Sequence, residues 1–203
     1  MSLRIVFKSL GDSSAFLGND RIFLGEGLLE TIRVDEGKAY FSESHWRRLR
    51  QAADALEIFF DLSLCDWQEK LNEYITLSQL HQGGVKVLLS AGTSARGLAA
   101  RGSNPCLVFE AFQYQISSEA VKLIRAPWRR DSNNPVYRLK SVNYLEGIMA
   151  ARHAQKAGAN DALFFNFNEH ATETTIANLF VMLCMVYVPY PHWIRFYFKI
   201  STP

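Results

Sequence analysis

The stretch Tyr137–Phe180 most narrows the folds open to this chain. Lys140 sits just before a helical pattern, which gives way to a short apolar strand at Asp161–Phe165. A polar turn follows, and then a lone carboxylate, Glu173, among threonines. An amphipathic helix, a turn and an apolar strand in that order form an α/β unit. The lysine at its entrance is where such a unit holds chemistry.

The preceding residues build a different block. Leu3–Ser9 alternates as a strand does, and Gly11–Glu30 is a glycine-punctuated loop leading into a second strand, Leu28–Val34. Asp35–Lys38 (DEGK) predicts a turn, with Ala39–Phe41 returning as the other arm of a hairpin. Ser42 or Ser44 caps a helix that runs to about Ile58, with Trp46, Leu49, Ala52, Ala53 and Leu56 on one stripe. Asp66 begins another amphipathic helix, carrying Trp67, Leu71, Tyr74 and Ile75 on its apolar side. Strands are predicted at Val85–Ala91 and Cys106–Tyr114, joined by a mobile-looking loop, Gly92–Pro105, that carries Arg96 and Arg101. Polar residues at Gln115–Val121 mark a boundary, giving domains 1–115 and 116–203, and Val121–Ala126 opens the second domain as a strand.

Composition excludes several classes. With 22 basic and 20 acidic residues the formal charge is +2, which gives no electrostatic footprint for nucleic acid. Three scattered cysteines, Cys65, Cys106 and Cys184, fit a reducing, cytoplasmic compartment and have no metal-site spacing. The five histidines do not cluster in sequence, though folding could bring some together, and no metal site is expected. The N-terminal residues lack the apolar core and cleavage site of a signal peptide, and no stretch suits a membrane partner.

Candidate chemistry rests on a few side chains. Taken alone, Lys140 reads as a solvated lysine at a helix entrance; an amine is a useful nucleophile only towards an aldehyde or when its pKa is lowered. Glu173 reads either as part of a capped loop or as a carboxylate able to keep a pyridine nitrogen protonated. Thr174 and Thr175 are placed to donate to phosphate or substrate oxygens, and Asn178 to hold the turn. In SESHWRRLR, Arg48 suits a phosphate or carboxylate contact, with Arg47 and Arg50 as alternatives that periodicity does not separate. His45 reads as a capping or packing histidine. Arg96 and Arg101 serve either surface solvation or capture of an anionic substrate.

Taken jointly, the segments GEGLLETIRVDEGKAYFSESHWRRL, KVLLSAGTSARG, the lysine ahead of NYLE and ATETTIANLF occur in an order that resembles the fold-type IV, or class IV aminotransferase, pyridoxal-phosphate enzymes. These include branched-chain and D-amino-acid aminotransferases and aminodeoxychorismate lyases. The resemblance covers roughly residues 1 to 180 and implies an α/β chain of the D-amino-acid aminotransferase-like fold. A small α+β N-terminal domain would precede an incomplete, barrel-like C-terminal domain, in a homodimer. By resemblance, Lys140 would carry pyridoxal 5'-phosphate and then act as the base, Glu173 would pair with the pyridine nitrogen, and Arg48 would bind the phosphate. Tyr144 would approach the ring oxygen, Thr174 and Thr175 would lie beside cofactor and substrate, and Arg96 would take a substrate carboxylate. The strand and loop KVLLSAGTSARGLA look most like the lyase group, which forms pyruvate and 4-aminobenzoate, a folate precursor. Leu29 replaces the aromatic residue usual in GxxFE or GxxYE, which weakens close analogy with the D-amino-acid enzymes.

After NLF the resemblance breaks. A glycine-containing LPGxxR-type turn that supplies N–H groups to phosphate is expected. The chain instead continues VMLCMVYVPYPHWIRFYFKISTP, with no glycine, aspartate or glutamate from Val181 onward. This predicts truncation or an altered reading frame after Phe180, missing strands, and an alternative reading as a homologue without turnover.

Overall fold

Alternation of buried and half-buried residues along nine-residue strands shapes the first half of the chain. In the computed structural model, the described residues are 2–8, 16, 18–114 and 119–180. They fall into two compact units: the described residues up to 114 together with 135–143, and residues 119–134 together with 144–180. The segment bearing Lys140 therefore groups with the first unit. The tail from Val181, Cys184 within it, and residues 115–118 of the expected boundary lie outside the described residues.

The first unit is built on a five-stranded sheet in the order β1-β5-β4-β2-β3. Its strands are β1 (Arg4–Lys8), β2 (Gly27–Asp35), β3 (Lys38–Ala39), β4 (Gln82–Ser90) and β5 (Cys106–Phe112). β1 runs parallel to β5, while β2, β4 and β5 form an antiparallel run, with Gly27 opposite Ser90 and Asp35 opposite Gln82. The hairpin turn has Glu36 and Gly37 at φ 50° and 71°, the positive-φ pair that two-residue hairpins favour. Its return arm is shorter than expected, because Phe41 turns to φ 54° and starts the next helix.

That helix, α1 (Ser42–Ala55), has Phe41 at its N-cap with no side-chain cap. The expected serine cap is absent because Ser42 lies inside the helix, where its hydroxyl and carbonyl accept from Trp67 Nε1 at 3.0 and 3.2 Å. α2 (Leu64–Leu77) does have a serine cap: Ser63 Oγ accepts from the Asp66 N–H at 3.1 Å. The core combines Leu28, Ile32 and Val34 of β2 with Val85, Val87 and Leu89 of β4, closed by residues of α1 and α2. Trp67 and Phe109 are fully buried at its centre, with ring centroids 5.9 Å apart.

The second unit is smaller. β6 (Leu123–Arg130) and β7 (Asp161–Asn166) pair in parallel, joined through α3 (Leu145–Lys156), and β8 (Ala171–Thr174) adds antiparallel to β7. Its buried core is Ala126, Ala150, Ala154, Ala162 and Phe164. Alanines on the inner face of α3 let the helix lie close to the strands, which suits a βαβ unit. Among the described residues no helix is long and apolar enough to cross a membrane.

Replacing Trp67 by alanine leaves a cavity at the junction of α1, α2 and the sheet. The expected loss is about 3–5 kcal/mol of unfolding free energy, read from urea denaturation. A loss below about 1 kcal/mol contradicts the core assignment.

Candidate active site

A charge lies in the inward row of β2. Leu28, Ile32 and Val34 of that row are apolar, yet Glu30 stands among them, 1% exposed. An isolated buried carboxylate is costly, so partners are required. α1 supplies both: Arg48 Nε donates to Glu30 Oε1 at 2.6 Å and Arg48 Nη2 donates to Oε2. His45, one turn earlier, has Nδ1 at 2.7 Å from Oε2. Since a carboxylate only accepts, that nitrogen carries the hydrogen. Burial pushes the Glu30 carboxyl up, but hydrogen bonds from Arg48 and His45 and their charges outweigh it and hold the group below its ordinary value.

This geometry separates three arginines that periodicity leaves equivalent. Arg47 pairs with Glu43 and Arg50 with Asp54, both i,i+4 along α1. Arg48 alone of the three is tied to the sheet, and its side chain remains 52% exposed. His45 is thus a partner of Glu30, where the sequence suggests only capping or packing.

The same strand holds the lysine segment. Leu29 N–H donates to the Lys140 carbonyl at 2.9 Å, and Val142 N–H donates to the Gly27 carbonyl at 3.0 Å. With Leu28 bridged antiparallel to Ser141, Lys140 stands opposite Leu29. Lys140 is half-buried. Four residues of β2, Gly27 to Glu30, therefore carry both the backbone of Lys140 and the anchor of Arg48.

The loop 92–105, expected to be mobile, is tied down. Asp20 is buried and its carboxylate accepts from Ser90 Oγ and, at 2.9 Å, from the Ile22 N–H. Arg21, 5% exposed, pairs with Glu26 and donates to Ser94 Oγ at 3.0 Å and to the Leu98 carbonyl at 3.1 Å. Gly92 adopts φ 84°, and a Cβ there would meet the Ser103 carbonyl oxygen at 2.0 Å, so the loop's base requires glycine. Arg96 is exposed on this loop, whereas Arg101 pairs with Glu57 at 2.6 Å. A cleft of about 520 Å³ in this unit is lined by Arg21, Leu24, Leu98, Arg101, Leu139 and Ser141, joining the loop to the lysine segment.

In the second unit, Tyr144 precedes α3 and its carbonyl accepts from Ile148 N–H at 2.8 Å. Glu173 on β8 accepts from Arg130 Nη1 at 2.5 Å, while Arg130 Nε donates to Glu146 at 2.9 Å. Arg130 also lies over the Phe164 ring, 3.6 Å from its centroid. Thr174 is buried and its Oγ1 accepts from Ala177 N–H at 3.0 Å, closing the turn after β8. Thr175 Oγ1 donates to Asp161 at 2.6 Å. Asn178 bridges back to Glu173 through the backbone. No group of His, Cys, Asp and Glu among the described residues is arranged to hold a metal ion.

The family model described as amino-transferase class IV matches residues 27–184. The chain belongs to the class IV aminotransferase family. Members of this family are pyridoxal-phosphate-dependent enzymes. A solved structure from Legionella pneumophila, assigned as a 4-amino-4-deoxychorismate lyase, is 48% identical with a TM-score of 0.83, covering 89% of this chain and 67% of that one. The aminodeoxychorismate lyase of Bacillus subtilis is 28% identical over 77% of this chain and 55% of its own length. The D-alanine aminotransferase of Bacillus licheniformis is 26% identical over 77% of this chain and 56% of its own length. The chain thus spans little more than half the length of these two relatives. The D-amino-acid aminotransferase-like fold expected from the sequence is the fold of the family's solved structures.

Glu30 and Arg130, the partners of the candidate residues Arg48 and Glu173, are not singled out by the sequence. For Glu30 a signal existed: a charge in an inward row of alternation. For Arg130, a run of basic residues at the end of β6 does not say which one turns inward.

The depressed pKa of Glu30 sets a sign for acid stability. Its contribution is present above its ordinary value of 4.5 and is lost as pH falls through the lower folded value. Urea midpoints of the wild-type protein should fall as pH drops below the ordinary value of 4.5, with a shallower fall in Glu30→Gln, which has nothing to titrate there. Equal slopes in the two proteins contradict this assignment.

Proposed function

We propose that this chain is a pyridoxal-phosphate-dependent aminodeoxychorismate lyase, releasing pyruvate and 4-aminobenzoate. The observation that carries the reading is the 48% identity to the Legionella protein assigned to that activity, spread over 89% of this chain. The donor set fits the cofactor chemically. A primary amine, Lys140, suits its aldehyde; a half-exposed guanidinium, Arg48, held from beneath by buried Glu30, suits its phosphate; and a carboxylate, Glu173, suits its pyridine nitrogen.

When bound, pyridoxal phosphate supplies an extended ring that accepts electrons from the substrate carbon. In this reading Lys140 would hold the cofactor through its Nζ, and the same Nζ would serve as the base for the proton on the substrate carbon bearing the amine. Glu173, which accepts from Arg130 Nη1 at 2.5 Å, would pair with the pyridine nitrogen and so make the ring a better electron acceptor. Arg48 binds the phosphate. Tyr144 would contact the ring oxygen, and Thr174 and Thr175 would lie beside cofactor and substrate. Arg96, exposed on a loop whose base is rigidly tied, takes a substrate carboxylate. The working unit is a homodimer in the cytoplasm.

Amino-group transfer is the second reading, favoured by the similarity to D-alanine aminotransferase from Bacillus licheniformis and to a branched-chain aminotransferase assignment in Methanocaldococcus jannaschii, at 26% and 23% identity. Assaying 4-aminobenzoate release against transfer of the amino group to a keto-acid acceptor separates the two.

Lys140→Ala is expected to abolish the borohydride-trapped cofactor adduct, read by mass spectrometry of the intact chain. An adduct at full yield in that variant contradicts the role of Lys140. Glu173→Ala should retain the adduct but slow turnover on the order of a hundredfold, because an unprotonated ring is a poorer electron acceptor. Unchanged kcat removes Glu173 from the mechanism.

A further inference from the structure

Glu30 has no role yet beyond its own neutralisation, and stability alone does not explain it. A buried ion pair is commonly matched or bettered by apolar residues of similar volume, and the rest of its row on β2 is apolar. What a carboxylate does here, and a leucine would not, is fix a guanidinium. Both oxygens of Glu30 are engaged by one edge of Arg48, Nε and Nη2. A bidentate pair holds the guanidinium plane as well as its position. The anchor is buried while the Arg48 side chain is 52% exposed, so the group is oriented from the protein side and presents itself on the solvent side. His45 shares Oε2 of Glu30 from the preceding turn of α1 and limits the carboxylate's own rotation.

We infer that Glu30 is a positioning residue for anion binding at Arg48: it orients the guanidinium so that a phosphate monoester, that of the cofactor, meets a preset donor face. The inference rests on the reading of Arg48 as the phosphate ligand. Two effects of Glu30 oppose one another. Its charge repels a phosphate, while its hydrogen bonds remove the rotamer freedom that Arg48 would otherwise lose on binding. The bidentate geometry and the burial of the carboxylate away from the exposed face make orientation the larger effect.

The test compares pyridoxal phosphate with pyridoxal, which lacks the phosphate, by absorbance titration of the full chain. The quantity read is the ratio of the two Kd values. Wild-type protein should prefer pyridoxal phosphate, and Arg48→Ala should lose that preference. Glu30→Gln should reduce it by roughly tenfold with the pyridoxal Kd unchanged, and Glu30→Asp, which keeps the charge but shortens the reach, should fall between. Undiminished or stronger preference in Glu30→Gln, with preference lost in Arg48→Ala, overturns the inference and leaves the Arg48 reading intact. Equal weakening of both ligands in Glu30→Gln also overturns it, since that marks a purely structural role. Should Glu30→Gln fail to fold, a wild-type ratio in Glu30→Asp overturns the inference on its own. A wild-type ratio in Arg48→Ala, or no preference in the wild-type protein, removes the Arg48 reading and the inference together.

Discussion

One carboxylate in an otherwise apolar row governs how the first unit is assembled. Glu30 is buried on the side facing α1, and its charge must be met by donors that α1 carries. Arg48 and His45 lie three residues apart, one turn of helix, so both reach the same two oxygens. The requirement fixes the rotation of α1 about its axis. Leu49, Ala52 and Ala53 then fall on the core side, and Arg47 and Arg50 on the outside.

The strand that bears this charge also organises its edges. Along its full length β2 pairs with β4, and near its C-terminal end it pairs with the two residues of β3. That leaves the N–H of Leu29 and the carbonyl of Gly27 without strand partners, and residues 140–142 supply them. Buried backbone groups need partners, so the lysine segment is held by a need independent of its chemistry. The result is that Lys140 is carried by the rigid sheet and not by a free loop.

The second unit solves a similar problem with an arginine at the centre. Arg130 lies on the Phe164 ring and bonds Glu146 of α3 and Glu173 of β8. Its side chain is 12% exposed, so the two acidic residues balance a largely buried cation. Orientation of Glu173 is in this way set by a residue from β6, on the far side of β7 in the strand order.

Local patterns were enough to read most strands and helices: alternation marks β2, β4 and β5, and the 3.6-residue stripe marks α1 and α2. Joint order of short motifs identified the family and its chemistry. Smaller features misled, because they depend on distant groups. Ser42 looks like a cap yet lies inside the helix and serves the Trp67 indole, and the loop after β4 looks free yet is bound by Arg21 and Asp20 from far upstream. Which of Arg47, Arg48 and Arg50 is anchored, and that Glu30 is its anchor, were decided only in three dimensions. Periodicity assigns a residue to a face, but an ion pair forms between two faces, and their approach is set by the packing of α1 on β2.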